Sequence, residues 1–360
     1  MNTLPHPTLA DRWQELLESK PKLRIRDAAD VLGVSEAELL ATRVPETVTR
    51  LSGDWTHVLR DLPLLGRVMC LTRNADAVHE RFGEFRGVDF FHGMGQVAGP
   101  DIDLRLFMSH WHHGFAVTDM TPDGERQSLQ FFDAAGDAVH KVYLQKESNY
   151  AQYGVILSKY RAPNQDSEVV VQPRSQPAAE IADDEIDVEG FRQAWRELRD
   201  THAFHMILQK YRVSRRQALR LAPEGFARRV GGSVPRAMLE SAAREAVPIM
   251  VFIGNRGCLQ IHTGLVQNIR MFGEEWLNVL DDEFNMHLRQ TSVDSVWIVR
   301  KPTVDGVVTS LELYDSAGNN LVIFFGKRKP GEPEDPRWRD LLEAAANGAA
   351  PQSSPNVSPA

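Results

Sequence analysis

The sequence predicts an α+β fold made by tandem duplication: two similar halves, each a large antiparallel sheet with helices packed at one side. Three observations carry this expectation. First, segments recur at one displacement. Trp13-Gln-Glu15-Leu16 returns as Trp195-Arg-Glu197-Leu198, and Ser128-Leu-Gln-Phe-Phe-Asp133 returns as Ser310-Leu-Glu-Leu-Tyr-Asp315, both 182 residues on (195 − 13 and 310 − 128). Between these anchors, Asp123-Gly124 matches Asp305-Gly306 and Phe115-Ala-Val117 matches Trp297-Ile-Val299. A displacement that holds at both ends of so long a unit is the signature of a repeat. Second, both copies open with helical material. Third, both then turn to strand patterning joined by short turns, which favours antiparallel pairing.

The elements follow in order. Ser35 stands three residues before Glu38, and Ser214 three before Gln217. Each pair is a capping box, in which the hydroxyl and the returning side chain satisfy backbone donors at a helix start. Gly66-Arg-Val-Met-Cys-Leu-Thr72 and Val247-Pro-Ile-Met250-Val-Phe-Ile253 are short apolar runs rich in strand formers. Ser292 through Val299 and Leu311 through Tyr314 have the same character and end at Asp305-Gly306 and Ser316-Ala-Gly318. Residues 1–160 form the expected N-terminal repeat and 191–343 the C-terminal one. The Pro-, Gln-, Ser- and acid-rich stretch 161–190 is a linker, and the Ala/Pro/Ser/Asn-rich 344–360 a disordered tail.

Composition narrows the function classes. Of the 360 residues, 42% are hydrophobic and 25% charged, an ordinary globular balance. A formal net charge of −8 argues against a global nucleic-acid or anionic-membrane footprint. Cys70 and Cys258 are the two cysteines, too few for a disulfide framework and not spaced for a C-x-x-C pair, so a reducing compartment is expected. The start lacks the basic and apolar regions of a secretory signal, and no apolar run approaches the ~18 residues of a membrane helix. The cytoplasm is the expected location. No nucleophile elbow, H-E-x-x-H, Walker loop or strand-linked G-x-G-x-x-G occurs, so no catalytic residue is nominated.

Where two copies share a fold, their chemically loaded differences are informative. His202 and His205, three apart, are expected on one face of a helix running from Trp195 to Met206. At the repeat displacement His202 corresponds to Lys20, so a duplicated structural role does not account for it. A neutral imidazole is the commonest metal ligand and an axial ligand for iron; taken alone, a surface histidine is the blander reading. His110, His112 and His113 surround Trp111, but no suitably spaced cysteine or carboxylate completes a zinc site there. If that segment is a strand, His110 and His112 share a face and packing or rim positions follow. Arg105 and Phe107 fall on one face if extended. Leu321 through Gly326 with Lys327-Arg328-Lys329 offers an aromatic wall with a basic end, and Arg300-Lys301 supplies a second basic strand end. Solvated charge at strand termini is the simpler account of each.

In combination, Asp103-Leu-Arg-Leu-Phe107, Gly254-Asn-Arg-Gly-Cys258-Leu-Gln-Ile-His262-Thr-Gly264 and Phe324-Phe-Gly-Lys-Arg-Lys-Pro-Gly331 are specific. With Leu71-Thr-Arg-Asn74 and Ala28 through Ser35, they resemble the bacterial cytoplasmic haem-trafficking proteins called hemin-degrading factors, from about Trp13 to Trp338. The resemblance implies non-covalent haem b in a cleft between sheet and helices on the C-terminal side. It implies His202 as the axial iron ligand, with His205 as the alternate because many relatives carry Phe there. It further implies Arg105, Phe107, Lys301, Phe325 and Arg328 as haem contacts, and His79 and His287 as positions some members use for others. Two activities are implied: carriage of imported haem from an inner-membrane importer to a haem oxygenase, or reductant- and oxygen-dependent opening of the ring. A third reading comes from Arg26 through Leu39, which is patterned like a helix-turn-helix regulator, although its second helix opens on acidic Ser-Glu-Ala-Glu.

Overall fold

The computed structural model describes residues 6–175, 179–329 and 331–348. The first repeat runs α1 (Leu9–Ser19), α2 (Ile25–Leu32), α3 (Glu36–Ala41), β1 (Val48–Leu51), α4 (Trp55–Asp61), β2 (Arg67–Arg73), β3 (Ala77–Glu84), β4 (Val88–Phe91), β5 (Met94–Ala98), β6 (Asp103–Phe107), β7 (His113–Thr121), β8 (Gly124–Phe132), β9 (Ala138–Leu144) and α5 (Tyr150–Tyr160). The second runs α6 (Val188–Arg196), α7 (Phe204–Tyr211), α8 (Arg215–Leu221), β10 (Ala227–Val230), α9 (Val234–Arg244), β11 (Ile249–Gly254), β12 (Cys258–Gly264), β13 (Ile269–Phe272), β14 (Trp276–Leu280), β15 (Phe284–Arg289), β16 (Ser295–Thr303), β17 (Gly306–Tyr314), β18 (Asn320–Gly326) and α10 (Pro336–Ala346). Of the expected disordered tail, residues 344–346 instead complete α10, and 349–360 lie outside the described residues.

The described residues fall into two compact units. Unit 1 takes those of Met1–Arg73, His79–Gln176 and Gly254–Gln260; unit 2 takes those of Asn74–Val78, Pro177–Ile253 and Ile261–Ala360. Unit 1 carries the strand order β1-β7-β8-β9-β2-β3 and a β4-β5-β6 meander. Unit 2 carries the order β10-β16-β17-β18-β11-β12 and a β13-β14-β15 meander. The long pairs β7–β8 and β16–β17 are antiparallel and keep matching register: His113 faces Phe132 as Ser295 faces Tyr314. Even the irregularity repeats, with a register shift at Phe131/Phe132 in one unit and at Leu313/Tyr314 in the other. The duplicated α+β architecture is as the sequence predicts.

Each unit includes a turn from the other repeat. Asn255 Oδ1 accepts from the backbone N–H groups of Gly257 and Cys258, and its Nδ2 donates to the carbonyls of Arg73 and Val139, both at 2.9 Å. The Gly257 carbonyl takes the N–H of Phe107 and the indole N–H of Trp111, each at 2.9 Å. In unit 2, Asn74 does the same service: its Oδ1 accepts from Asp76 and Ala77, and its Nδ2 reaches the Leu321 carbonyl at 2.8 Å. Asparagine suits such a turn because its short amide mimics a backbone turn.

The predicted capping boxes are present at Ser35/Glu38 and Ser214/Gln217. The first residue after each cap, Glu36 and Arg215, points inward, and the two have opposite charge. Glu36 meets Lys141 on β9 at 2.5 Å and also Arg73. Arg215 meets Glu312 on β17 at 2.9 Å, and Lys301 and Tyr314 close on the same carboxylate. Gln130 occupies the position of Glu312 in the first repeat and lies opposite Lys141, as Glu312 lies opposite Ile323. The same buried site is therefore built twice with its signs reversed. Both carboxylates obey the rule that a buried charge must be paired.

Three expectations need correction. Residues 195–206 do not form one helix: α6 ends at Arg196, and a 3₁₀ turn spans Thr201–Ala203 before α7. Asp200 causes the break, because its side chain accepts the His202 backbone N–H and starts a new turn. The histidines around Trp111 do not form a continuous strand, since Met108–His110 is a 3₁₀ turn and β7 begins at His113. The helix-turn-helix pattern is present as α2, a left-handed Gly33 and α3. However, α3 buries every residue except Glu38 and has no face to offer a DNA groove.

At the end of β18, Gly326 lies where a Cβ would come within 2.6 Å of the Trp338 side chain. Trp338 is fully buried, and its indole donates to the Thr309 carbonyl at 3.0 Å. It cannot yield without losing that bond. Gly326→Ala is therefore expected to destabilise unit 2 by about 1–3 kcal/mol, the usual cost of overpacking, seen as a lower urea midpoint.

Candidate functional site

In unit 2, α6 anchors a small platform. Phe191 and Trp195 are buried, and the Trp195 indole donates to the Arg300 carbonyl at 3.2 Å. Phe204, the first residue of α7, packs on Trp195 with ring centroids 4.5 Å apart. Two cations lie over Phe204 as well: Lys301 Nζ at 5.0 Å and the Arg215 guanidinium at 5.6 Å. The turn bearing His202 thus rests on a rigid, buried support, although the His202 side chain itself is 88% exposed.

Asp200 sets the chemistry of that imidazole. Its carboxylate accepts the His202 backbone N–H at 2.9 Å and lies 2.8 Å from Nδ1. These two hydrogen bonds, with the Arg328 charge contributing less, hold the Asp200 carboxyl below its ordinary range. An ionised carboxylate can only accept, so in the neutral imidazole Nδ1 carries the proton and Nε2 the lone pair. A carboxylate behind a histidine is a recurring outer-shell arrangement at metal sites, because it fixes the tautomer and raises ligand basicity. His205, on the first turn of α7, lies 2.6 Å through Nδ1 from the His202 carbonyl. A carbonyl likewise only accepts, so in the neutral His205 ring Nδ1 carries the proton and Nε2 the lone pair. Asp200 was missed in the sequence, yet Asp-x-His is a legible capping signal.

Beyond the platform, the same sheet face carries Ile323 and Phe325 on β18 with Met250 and Phe252 on β11, all half-buried. Phe325 and Phe252 meet edge to face at 5.0 Å. These side chains form an apolar shelf. Arg328 lies two residues past β18, and its Nη1 is buried with no hydrogen-bond partner among the described residues. The site residues His202, His205, Phe325 and Arg328 thus all belong to unit 2.

Lys301 is placed differently from an open basic contact. It is buried beneath Phe204, and its ammonium lies 2.9 Å from Glu312. Arg105 and Phe107 belong to unit 1, half-buried on one face of β6 as the alternation predicts. Arg105 pairs with Asp103, and the pair faces Gln96 and Ala98 across the meander. His79 is buried on β3, and His287 on β15 is hydrogen-bonded through Nδ1 to Asn278 at 2.7 Å. Among the described residues no cluster of three metal-ligating side chains occurs, and no helix is long and apolar enough to cross a membrane.

A family model described as the haemin-degrading HemS.ChuX domain matches residues 33–160 and again 212–345, one match for each repeat. The chain belongs to the HemS.ChuX family. It is 36% identical to the hemin transport protein HemS of Yersinia enterocolitica, covering 93% of this chain and 97% of that protein. The holo form of PhuS, a heme-binding protein from Pseudomonas aeruginosa, superposes with a TM-score of 0.91 at 45% identity, over 93% of this chain and 97% of that one. ChuS, a heme degrading enzyme of Escherichia coli O157:H7, superposes with a TM-score of 0.85 at 36% identity, over 93% and 98%.

Proposed function

We propose that the protein binds haem in the cytoplasm without a covalent link and delivers it for iron release, with His202 Nε2 as the axial ligand of the iron. The observation that carries this reading is the His202 imidazole, exposed yet held in one tautomer by Asp200 above a buried aromatic support. The neighbouring shelf of Met250, Phe252, Ile323 and Phe325 suits a porphyrin face, and the partnerless Arg328 nitrogen suits a propionate. The reading also names Arg105 and Phe107 as haem contacts. It assigns Lys301 a supporting role under Phe204. HemS and PhuS, named for hemin transport and heme binding, favour carriage. The partners expected are the inner face of a haem importer and a haem oxygenase.

A second reading, reductant-dependent haem degradation, is favoured by the similarity to ChuS. Haem-loaded protein given a catalase-protected enzymatic electron donor and oxygen separates the two. Intact porphyrin supports carriage, and a biliverdin-type product with freed iron supports the enzyme. In either case Asp200→Asn is expected to weaken haem binding roughly tenfold or more, the scale of losing an outer-shell partner. Titration followed at the Soret band measures it. An unchanged affinity would show that Asp200 does not orient the ligand.

A further inference from the structure

A polar cavity lies in unit 1, in elements that the haem reading leaves unused. It measures about 210 Å³ and is lined by Arg50, Ser52 and Trp55 near β1 and by His112 and His113 at the start of β7. The two imidazole centroids are 6.5 Å apart. Among the described residues neither ring has a hydrogen-bond partner, and Arg50 has no carboxylate partner. The Arg50 guanidinium is nevertheless fixed, because its Nη1 donates to the carbonyls of Asp166 and Glu168 at 3.1 and 2.6 Å.

The duplication supplies an internal comparison. Arg50 on β1 corresponds to Arg229 on β10, since Val48 pairs with Val117 as Ala227 pairs with Val299. His112 and His113 correspond to Asp294 and Ser295 at the 182-residue displacement. In the second repeat the arginine has a partner: Asp294 gives Arg229 its carbonyl at 3.0 Å and its carboxylate at 3.9 Å. In the first repeat an imidazole stands where that carboxylate stood, a second imidazole stands beside it, and an open cavity adjoins the unneutralised arginine. The copies differ by removal of an anion from the protein and addition of two protonatable donors.

We propose that this cavity binds a phosphate-type oxyanion, which takes the place that the Asp294 carboxylate fills in the sister repeat. Arg50 supplies a permanent charge, His112 and His113 supply N–H donors, and the Ser52 hydroxyl supplies a fourth. Asp54 caps α4 through Thr56, and Asp133, the carboxylate that acts on His113, accepts the backbone N–H groups of Ala135 and Asp137. Burial, reinforced by His112 and Arg50 and opposed by Asp133, holds the His113 imidazole below its ordinary range. An oxyanion would reverse that balance, so binding should draw in protons. The second ionisation of a phosphate monoester falls near pH 6, and that of the free ion about one unit higher, both close to the histidine range, so the anion and the site can share a proton. Phosphate supplied free and phosphate supplied as a monoester share this chemistry.

The test is titration of the full chain with inorganic phosphate, read by calorimetry and by the ring resonances of His112 and His113. Saturable shifts of both rings, tighter at pH 6.5 than at pH 8, support the site. His112→Asp, which restores the carboxylate of the sister repeat, is expected to weaken binding by about tenfold or more, and Arg50→Gln by a similar factor. Circular dichroism and the thermal midpoint verify that each variant is folded. Phenyl phosphate binding as tightly as phosphate identifies a monoester site; weaker binding identifies a site for the free ion. Acetate binding as tightly as phosphate, no saturable shift, or an unaltered affinity in folded His112→Asp would each overturn the proposal.

Discussion

Replacing His202 by alanine is expected to shift the Soret band away from its wild-type position and to weaken haem binding on the order of 100-fold, the scale of losing one strong directed interaction of about 3 kcal/mol. The size follows from the loss of one of the two imidazoles that the turn and α7 present. His202 and His205 are the two imidazoles of the turn and α7 whose Nε2 atoms are left unprotonated by an acceptor at Nδ1. They differ in preparation. His202 is backed by a carboxylate that holds its ring in place, whereas His205 leans on a neutral carbonyl. His202→Ala should therefore fall back on His205 with a shifted Soret band, and the double variant should lose the ligand altogether. External imidazole should restore the band in the single variant. A wild-type spectrum and affinity in His202→Ala would sink the assignment. A change confined to His205→Ala would move the ligand one turn along.

How far this site could be read from the sequence depends on the range of the interactions involved. The caps at Ser35 and Ser214 are decided within three residues, and strand alternation places Arg105 and Phe107 on one face; both are local and both were legible. The His202 turn is equally local but was misjudged. The apolar spacing of Trp195, Leu198 and Phe204 suggests one helix, while Asp200 competes for the backbone and restarts it. Lys301 shows the opposite difficulty. Its place at a basic strand end suggests an open cation, and only the pairing of β16 with β17 reveals Glu312 beside it. The reversed signs at Glu36 and Arg215 were hidden for another reason. Helices α3 and α8 correspond at a displacement of 179 (214 − 35), three short of the value that aligns the long sheet strands, so the two buried clusters do not line up until the structure is known.

Those clusters give the second large effect expected. Glu312→Gln removes the single carboxylate that answers Arg215 and Lys301 and that accepts from Tyr314 and Ser310. It leaves the buried Lys301 and the half-buried Arg215 without compensation, and breaking one side of such a network costs about 3–5 kcal/mol. Because Lys301 and Arg215 also lie over Phe204, the loss should loosen the His202 turn, so haem affinity should fall along with the urea midpoint. Exchanging all three charged residues for apolar ones of similar size should recover most of the stability, since the pair contributes little beyond its own desolvation. Acid titration tests the same physics without mutation. Burial would raise the Glu36 carboxyl, but Lys141 and Arg73 overcome it and bring it down to about 2, and Arg215 and Lys301 depress Glu312 further. A carboxyl with a depressed folded-state pKa stabilises the fold fully above its unfolded value near 4.5, and that stability disappears as pH falls toward 2. The urea midpoint should therefore be insensitive to these two groups above about pH 5.5, more than one unit above that unfolded value. It should drop steeply between about pH 4.5 and 2, and less steeply in the variant lacking the Glu312 cluster. Equal slopes in the two proteins would show that the buried carboxylate is not what acid attacks.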